Sequence, residues 1–157
     1  MVTFKDKEND IIVTIEEAVL EELKTYSIQS YPNETGGFLV GRYISDNHAN
    51  IKCLVPPTKK KGGPTSFERS SNGMKHIWND LYNKGLIYLG EWHTHPNGSC
   101  IYSDTDLEAM RSITSSKGVK IKRPLLLIAS INKSNDQDMN IYHYSNNKLI
   151  KISKWGK

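Results

Sequence analysis

The densest chemistry in the chain lies in Glu91-Trp92-His93-Thr94-His95-Pro96, with Ser103 and Asp106 following seven and ten residues after the proline. Side chains alternate faces along an extended segment, so imidazoles at i and i+2 point the same way and can grip one metal ion. Asp106 adds a carboxylate as third ligand. Two histidines and one carboxylate leave a coordination position open to water, which is the composition of a catalytic zinc site rather than a structural one.

Each of these residues has an ordinary explanation as well. Ser103-x-x-Asp106 also reads as a shortened capping box, in which the serine oxygen accepts from a backbone N–H and the acid bonds back. Ser103 can serve as cap and site residue together. Glu91 has the strand parity of His93 and His95 and is expected on the metal side, as partner of a histidine N–H, then as substrate contact, then as base. Cys100, in the loop between the ligands, reads as a packing cysteine before a zinc thiolate.

The elements that must position these groups follow from local patterns. Asp10 to Thr14 reads as a strand, and Thr14-Ile15-Glu16-Glu17 as a helix start with a Thr cap and a Glu three residues on. Val19, Leu20, Leu23 and Tyr26 then form an apolar stripe that breaks by Pro32. Thr35 to Tyr43 and Ile51 to Leu54 read as a hairpin around the polar turn SDNHAN, and Lys59 to Thr65 as a loop. A second helix is expected over Ser70 to Lys84, with Met74, Ile77, Trp78, Leu81 and Tyr82 at helical spacing and Gly85 as its stop. Its aromatics read as core. Leu86 to Leu89 opens a strand that delivers His93 and His95 at its C-terminal end. A third helix should run from Ser103 through Leu107, Met110 and Ile113 to about Ser116, before Gly118. Pro124 to Ile131, Met139 to Tyr144 and Leu149 to Ile152 complete the strands, giving an α/β (α+β) fold with a mixed sheet.

At 157 residues, the span 1–157 fits one domain with a real core. The N-terminal MVTFKDKEND lacks a signal-peptide apolar region and no apolar run approaches membrane-spanning length, so a soluble, cytoplasmic protein is expected. Cys53 and Cys100 lie far apart and in no CxxC arrangement, so neither a disulfide framework nor a thiolate zinc site is indicated, and a reducing compartment fits. The net charge of +4 includes Lys59, Lys60 and Lys61, and a second cluster of Lys117, Lys120, Lys122 and Arg123. Such runs read as solvated loop tips, and no aromatic-interleaved basic patch points to nucleic acid.

Glu34-x-x-Gly37-x-Leu39-x-Gly41, His93-x-His95-Pro96 and Ser103-x-x-Asp106, taken in order, resemble the JAMM motif of the JAB/MPN metallopeptidases. The motif spans Glu34 to Asp106, and the flanking elements are compatible with the family over essentially the whole domain. The resemblance implies an MPN fold, a curved mixed β-sheet with helices packed beside it, and a zinc-dependent peptidase or isopeptidase. One catalytic Zn²⁺ would be held by His93, His95 and Asp106. It gives Glu34, otherwise an exposed loop acid after Pro32, the role of proton shuttle beside a zinc-activated water. Ser103, by the same resemblance, donates a hydrogen bond to the tetrahedral oxyanion.

Within the family, YLGEWHTHP and the preceding helix look most like bacterial JAB proteins found beside genes for ubiquitin-like conjugation, including the deconjugating peptidases of CBASS and related antiphage operons. The implied partner is a ubiquitin-like modifier or its conjugated target, a nucleotidyltransferase of the same operon being one candidate, with no nucleic acid and no membrane involved. The modifier's tail is expected to be small-residue and extended, and to pair with a strand edge beside the site. Two alternatives stay open. One is a JAB protein of another kind, processing a sulfur-carrier or phage-tail precursor or associating with DNA in a RadC-like way; the other is a non-catalytic MPN scaffold.

Overall fold

The computed structural model describes residues 1–56, 59–62, 67–70, 74–115, 121 and 123–156. The elements run β1 (Val2–Asp6), β2 (Ile11–Ile15), α1 (Glu17–Ser30), β3 (Gly36–Ser45), β4 (His48–Val55), β5 (Lys59–Gly62), β6 (Phe67–Ser70), α2 (Lys75–Asn83), β7 (Ile87–Pro96), α3 (Asp104–Thr114), β8 (Leu125–Ile131), β9 (Gln137–Ser145) and β10 (Lys148–Lys154). Eight strands close a barrel in the order β1-β10-β9-β8-β7-β3-β4-β2, and β5 and β6 form a separate two-stranded sheet. Two pairings, β2 with β4 and β7 with β8, are parallel; the others are antiparallel. The expected mixed sheet is thus present, curved far enough to close on itself. Among the described residues no helix is long and apolar enough to cross a membrane.

Alternation along the strands sorts the apolar residues into layers. Inward-facing Phe4, Val13, Leu39, Ile51, Leu89, Trp92, Leu127 and Ile141 form the main core together with Val19 and Leu23 of α1. The outer face of β3 and β7 is covered by α2 and its N-cap Met74, where Met74, Ile77 and Trp78 meet Phe38, Val40 and Tyr88. The outer face of β8 and β9 is covered by α3, where Met110, Leu107 and Ile113 meet Leu126, Ile128 and Tyr142. Two helices therefore flank one exterior strip of β7.

Several expectations are corrected. Thr14 does not cap α1; it lies in β2, its Oγ1 accepting from Asn50 Nδ2 at 2.8 Å and facing His48 Nε2 at 3.0 Å. The N-cap is Glu16, without a side-chain cap bond among the described residues. A cap contributes about 1 kcal/mol, less than burying Val19 and Leu23 at about 1.5–3 kcal/mol each, so core packing fixes where this helix starts. Strand β1 was hidden in a polar N-terminus because only Phe4 of its five residues is fully buried.

The Lys59 to Thr65 stretch is a strand over Lys59–Gly62, paired antiparallel with β6, while 63–65 lie outside the described residues. Lysine and glycine disfavour strands locally; the partner strand supplies the hydrogen bonds that override this. Ser70 belongs to β6 rather than to α2, and Tyr82 is 72% exposed instead of packed. Gly85, at φ 76°, does stop α2. Ser116, Lys117, Gly118, Lys120 and Lys122 lie outside the described residues.

Strand β7 contains an irregularity that sets the site's register. Leu39 pairs with Gly90 while Val40 pairs with Tyr88, so one extra residue, Leu89, is accommodated at this point. Gly90 has φ 156°, and a Cβ there would stand 2.0 Å from the Leu125 carbonyl oxygen. Gly90→Ala is therefore expected to lower stability by about 2–4 kcal/mol, through strain and separation of β7 from β8. A urea midpoint unchanged from the parent protein would contradict this account of the bulge.

Candidate metal centre

Beyond the bulge, Trp92 and Thr94 face the core, and Glu91, His93 and His95 face outward beside Leu126, Ile128 and Ser130 of β8. Trp92 is 1% exposed and stacks at 5.5 Å on Tyr26 of α1. Thr94 is fully buried and accepts from the Thr35 N–H at 3.0 Å, while its own N–H donates to the Thr35 carbonyl at 2.8 Å. These inward anchors hold the two imidazoles still on the other face.

Asp106 arrives from α3 through its cap. Ser103 Oγ accepts from the Asp106 N–H at 3.2 Å, and the Ser103 N–H donates to Asp106 Oδ2 at 2.8 Å, so the capping box forms as expected. The same carboxylate faces both histidines, Oδ1 lying 2.9 Å from His93 Nε2 and Oδ2 3.4 Å from His95 Nε2. The two Nε2 atoms are 3.2 Å apart. The loop between strand and helix is pinned where Tyr142 Oη donates to the Cys100 carbonyl at 2.8 Å.

This donor set fits one metal ion. The ligand atoms of His93, His95 and Asp106 all lie within 4.8 Å of one another. Two ligands at zinc–nitrogen distances of 2.0–2.1 Å subtending a tetrahedral angle stand about 3.3 Å apart, close to the separations found. His95 Nδ1 contacts the Ser99 carbonyl at 2.9 Å. With Nδ1–H donating there, Nε2 keeps its lone pair for a metal.

The electrostatics agree with that geometry. Burial pushes the Asp106 carboxyl up, yet hydrogen bonds from His93 and His95 and from the Ser103 backbone outweigh it and hold the group well below the usual carboxylate range. His95 is raised, chiefly by its hydrogen bond to Asp106, with burial opposing. Glu34 is raised by burial and by the Asp106 charge, against the pull of His93 and His95. The mutual influence places Glu34 within electrostatic reach of all three, just ahead of β3. Gly36 makes the approach close: a Cβ there would meet the Trp92 carbonyl at 2.4 Å and His93 Cβ at 2.8 Å.

Glu91 shares the outward face of His93 and His95, as expected. It is 7% exposed, and Tyr88 Oη donates to its Oε2 at 2.5 Å. The bulge between the two puts Tyr88 and Glu91 on one face, next to the Phe38–Trp78–Tyr88 ring cluster. Its described bond is thus to the aromatic side of the site. Cys100 packs against Ser130, Sγ to Oγ 3.4 Å, outside the three-residue donor group. Sequence reasoning missed the Ser99 carbonyl and the Thr35–Thr94 pair. A backbone oxygen leaves no residue-type signal, while Thr94, lying between two histidines, was legible as inward-facing by parity alone.

A closed mixed barrel with a His-x-His pair on its outer face and a helix-borne carboxylate beside it defines a domain of the JAB type. A family model described as prokaryotic homologs of the JAB domain matches residues 16–142, and the chain belongs to that family. It is 30% identical over 129 residues to a protein of Enterobacter hormaechei subsp. hoffmannii (strain UCI 50) named CD-NTase/cGAS isopeptidase, covering 81% of this chain and 72% of that one. A protein of Escherichia coli (strain TW11681) bearing the same name is 29% identical over 100 residues, covering 61% of this chain and 63% of its own length. The fold is shared with a solution structure of a Desulfitobacterium hafniense protein, at TM-score 0.68, 18% identity and 88% of each chain. It is shared also with one from Salinibacter ruber (strain DSM 13855), at TM-score 0.59, 16% identity, and 88% and 87% of the two chains.

A metal must displace any proton from His95, whose protonated form the metal-free site favours, while Asp106 stays ionised. Zinc affinity is therefore expected to be flat at alkaline pH. It should fall by about tenfold per pH unit for each proton displaced as the pH drops through the raised His95 value. Chelator competition between about pH 8 and about pH 6 measures this, and His93→Ala should abolish stoichiometric zinc. Full zinc content in His93→Ala would remove that imidazole from the ligand set.

Proposed function

We infer that the chain is a zinc-dependent isopeptidase acting in the cytoplasm on a protein that carries a ubiquitin-like modifier, in a CBASS-like antiphage conjugation system. Residues 1–157 would act as one JAB domain. The observation that carries this reading is the convergence of the His93, His95 and Asp106 donor atoms on a surface that also holds Glu34. The substrate class is supported by the relatives named CD-NTase/cGAS isopeptidase. By that likeness the conjugated target is a nucleotidyltransferase.

In this reading His93, His95 and Asp106 hold the ion. Zinc, when bound, supplies a Lewis acid for the scissile carbonyl and brings the pKa of water from about 15.7 toward about 7. Glu34 takes the proton from the attacking water and returns it to the departing amine. Its burial favours the protonated form it must pass through, and a bound cation would pull it back toward the ionised base. Ser103 is exposed at the helix start, and its Oγ acts as acceptor for the Asp106 N–H. Its hydroxyl proton is directed elsewhere and can donate to an oxyanion, a contribution of about 3 kcal/mol in comparable sites.

An extended tail needs unpaired backbone groups to bind, and the eight strands of the main sheet pair with one another in a closed ring among the described residues. The edge assigned to the tail in this reading is that of the β5–β6 sheet, whose β6 contacts β3. This sheet follows β4, whose Val55 pairs with Phe38, the residue opposite Glu91. The tail would lie along it and place its terminal carbonyl at the metal centre.

Glu34→Ala is expected to keep zinc and fold while reducing cleavage by about three orders of magnitude or more, since a general base and a proton donor are lost together. Host cells carrying Glu34→Ala should accumulate proteins bearing a modifier-tail remnant on an amine, detected by mass spectrometry against cells with the intact protein. Accumulation of an uncleaved tail-extended precursor, with no conjugate, would assign the site to precursor processing instead.

A further inference from the structure

Glu34 sits in the short segment between α1 and β3, and that segment is tied to the histidine-bearing strand at both ends. On the β3 side the Thr35 backbone and Thr94 exchange hydrogen bonds of 2.8 and 3.0 Å. On the α1 side Tyr31 Oη donates to Asn97 Oδ1 at 2.8 Å. Asn97 directly follows Pro96 and is itself fixed: it adopts φ 58°, and its N–H donates to the Ile131 carbonyl at 2.7 Å. Between the two ties, the Asn33 N–H donates to the Ser30 carbonyl at 2.8 Å and Ser30 Oγ donates to the Asn33 carbonyl at 3.0 Å.

We propose that Tyr31 and Asn97 are positioning residues whose hydrogen bond holds the Glu34 segment in register with His95. This rests on the reading of Glu34 as the proton shuttle. The Thr35–Thr94 pair fixes the β3 end of the segment. A second tie, on the far side of Glu34, fixes the α1 end. Proton transfer demands hydrogen-bond distance, and a displacement on the order of 1 Å costs on the order of a hundredfold in rate. The Thr35–Thr94 bonds are buried, whereas the Tyr31–Asn97 bond is exposed and contributes little to global stability. Its loss can thus be read separately from unfolding.

The test compares zinc-loaded parent protein with Tyr31→Phe, Asn97→Gly and the double variant; glycine removes the carboxamide while tolerating the positive φ. Amide hydrogen exchange over 33–36 should quicken by about 3- to 10-fold in each variant, with β7 exchange and zinc content unchanged. Exchange equal to the parent's overturns the proposal, whatever the protein's activity. On a cleavable conjugate, kcat should fall by about 3- to 10-fold with KM unchanged, and the double variant should be no worse than either single one. In a Glu34→Gln background Tyr31→Phe should change residual turnover no further. A raised KM with kcat retained would instead make Tyr31 a substrate contact and overturn the assignment. Failure of the parent protein to cleave any conjugate would defeat the functional reading, while hydrogen exchange still decides the clasp.

Discussion

Strand parity on β7 is the constraint from which the rest of the arrangement follows. Because alternate residues face opposite ways, one ten-residue strand presents Trp92 and Thr94 to the barrel core and Glu91, His93 and His95 to the exterior. The inward residues are buried and held, Trp92 by stacking on Tyr26 and Thr94 by the Thr35 backbone. That fixity is transmitted through one backbone to the two imidazoles. A one-residue slip would exchange the sets and put two histidines into an apolar core. The bulge at Leu89–Gly90 and the close approach of Gly36 keep the register from slipping.

Asp106 links this strand to a helix by serving two structures at once. Its Oδ2 completes the capping box with Ser103 while Oδ1 faces His93. The start of α3 and the donor set are therefore one electrostatic unit. The choice between capping box and site residue, open on the sequence, was between descriptions of the same atoms. The cap determines where the carboxylate stands, and the apolar contacts of Leu107 and Met110 with the outer face of β8 determine where the cap stands.

Much of this was legible beforehand because it depends on local spacing. The His93–His95 pair on a strand end, the Ser103 cap, the glycine stop of α2 and the order of strands and helices follow from periods and turn chemistry. What was not legible depends on partners distant in the chain. The polar β1 is a strand because β2 and β10 flank it, and Lys59–Gly62 because Phe67–Ser70 pairs with it. Thr14 was drawn from helix cap to strand by Asn50 and His48. Glu91 met the parity rule, and its bond from Tyr88 was not legible because the bulge at Leu89–Gly90 brings Tyr88 to the same face. The role of Glu34 was invisible to spacing and came from family resemblance, with the structure adding its electrostatic neighbourhood.

Closure of the barrel also bears on how such a domain avoids self-association. An open strand edge able to accept an extended chain is equally able to accept a copy of itself, and long flat edges seed aggregates. Here the eight main strands pair with one another in a ring, and among the described residues the separate sheet of β5 and β6 is a ladder of four residue pairs. An edge this short supports few backbone bonds, so another molecule gains little by pairing there unless side-chain contacts beyond the edge also fit. Colloidal stability and discrimination between incoming chains then have a common origin in the short length of that sheet.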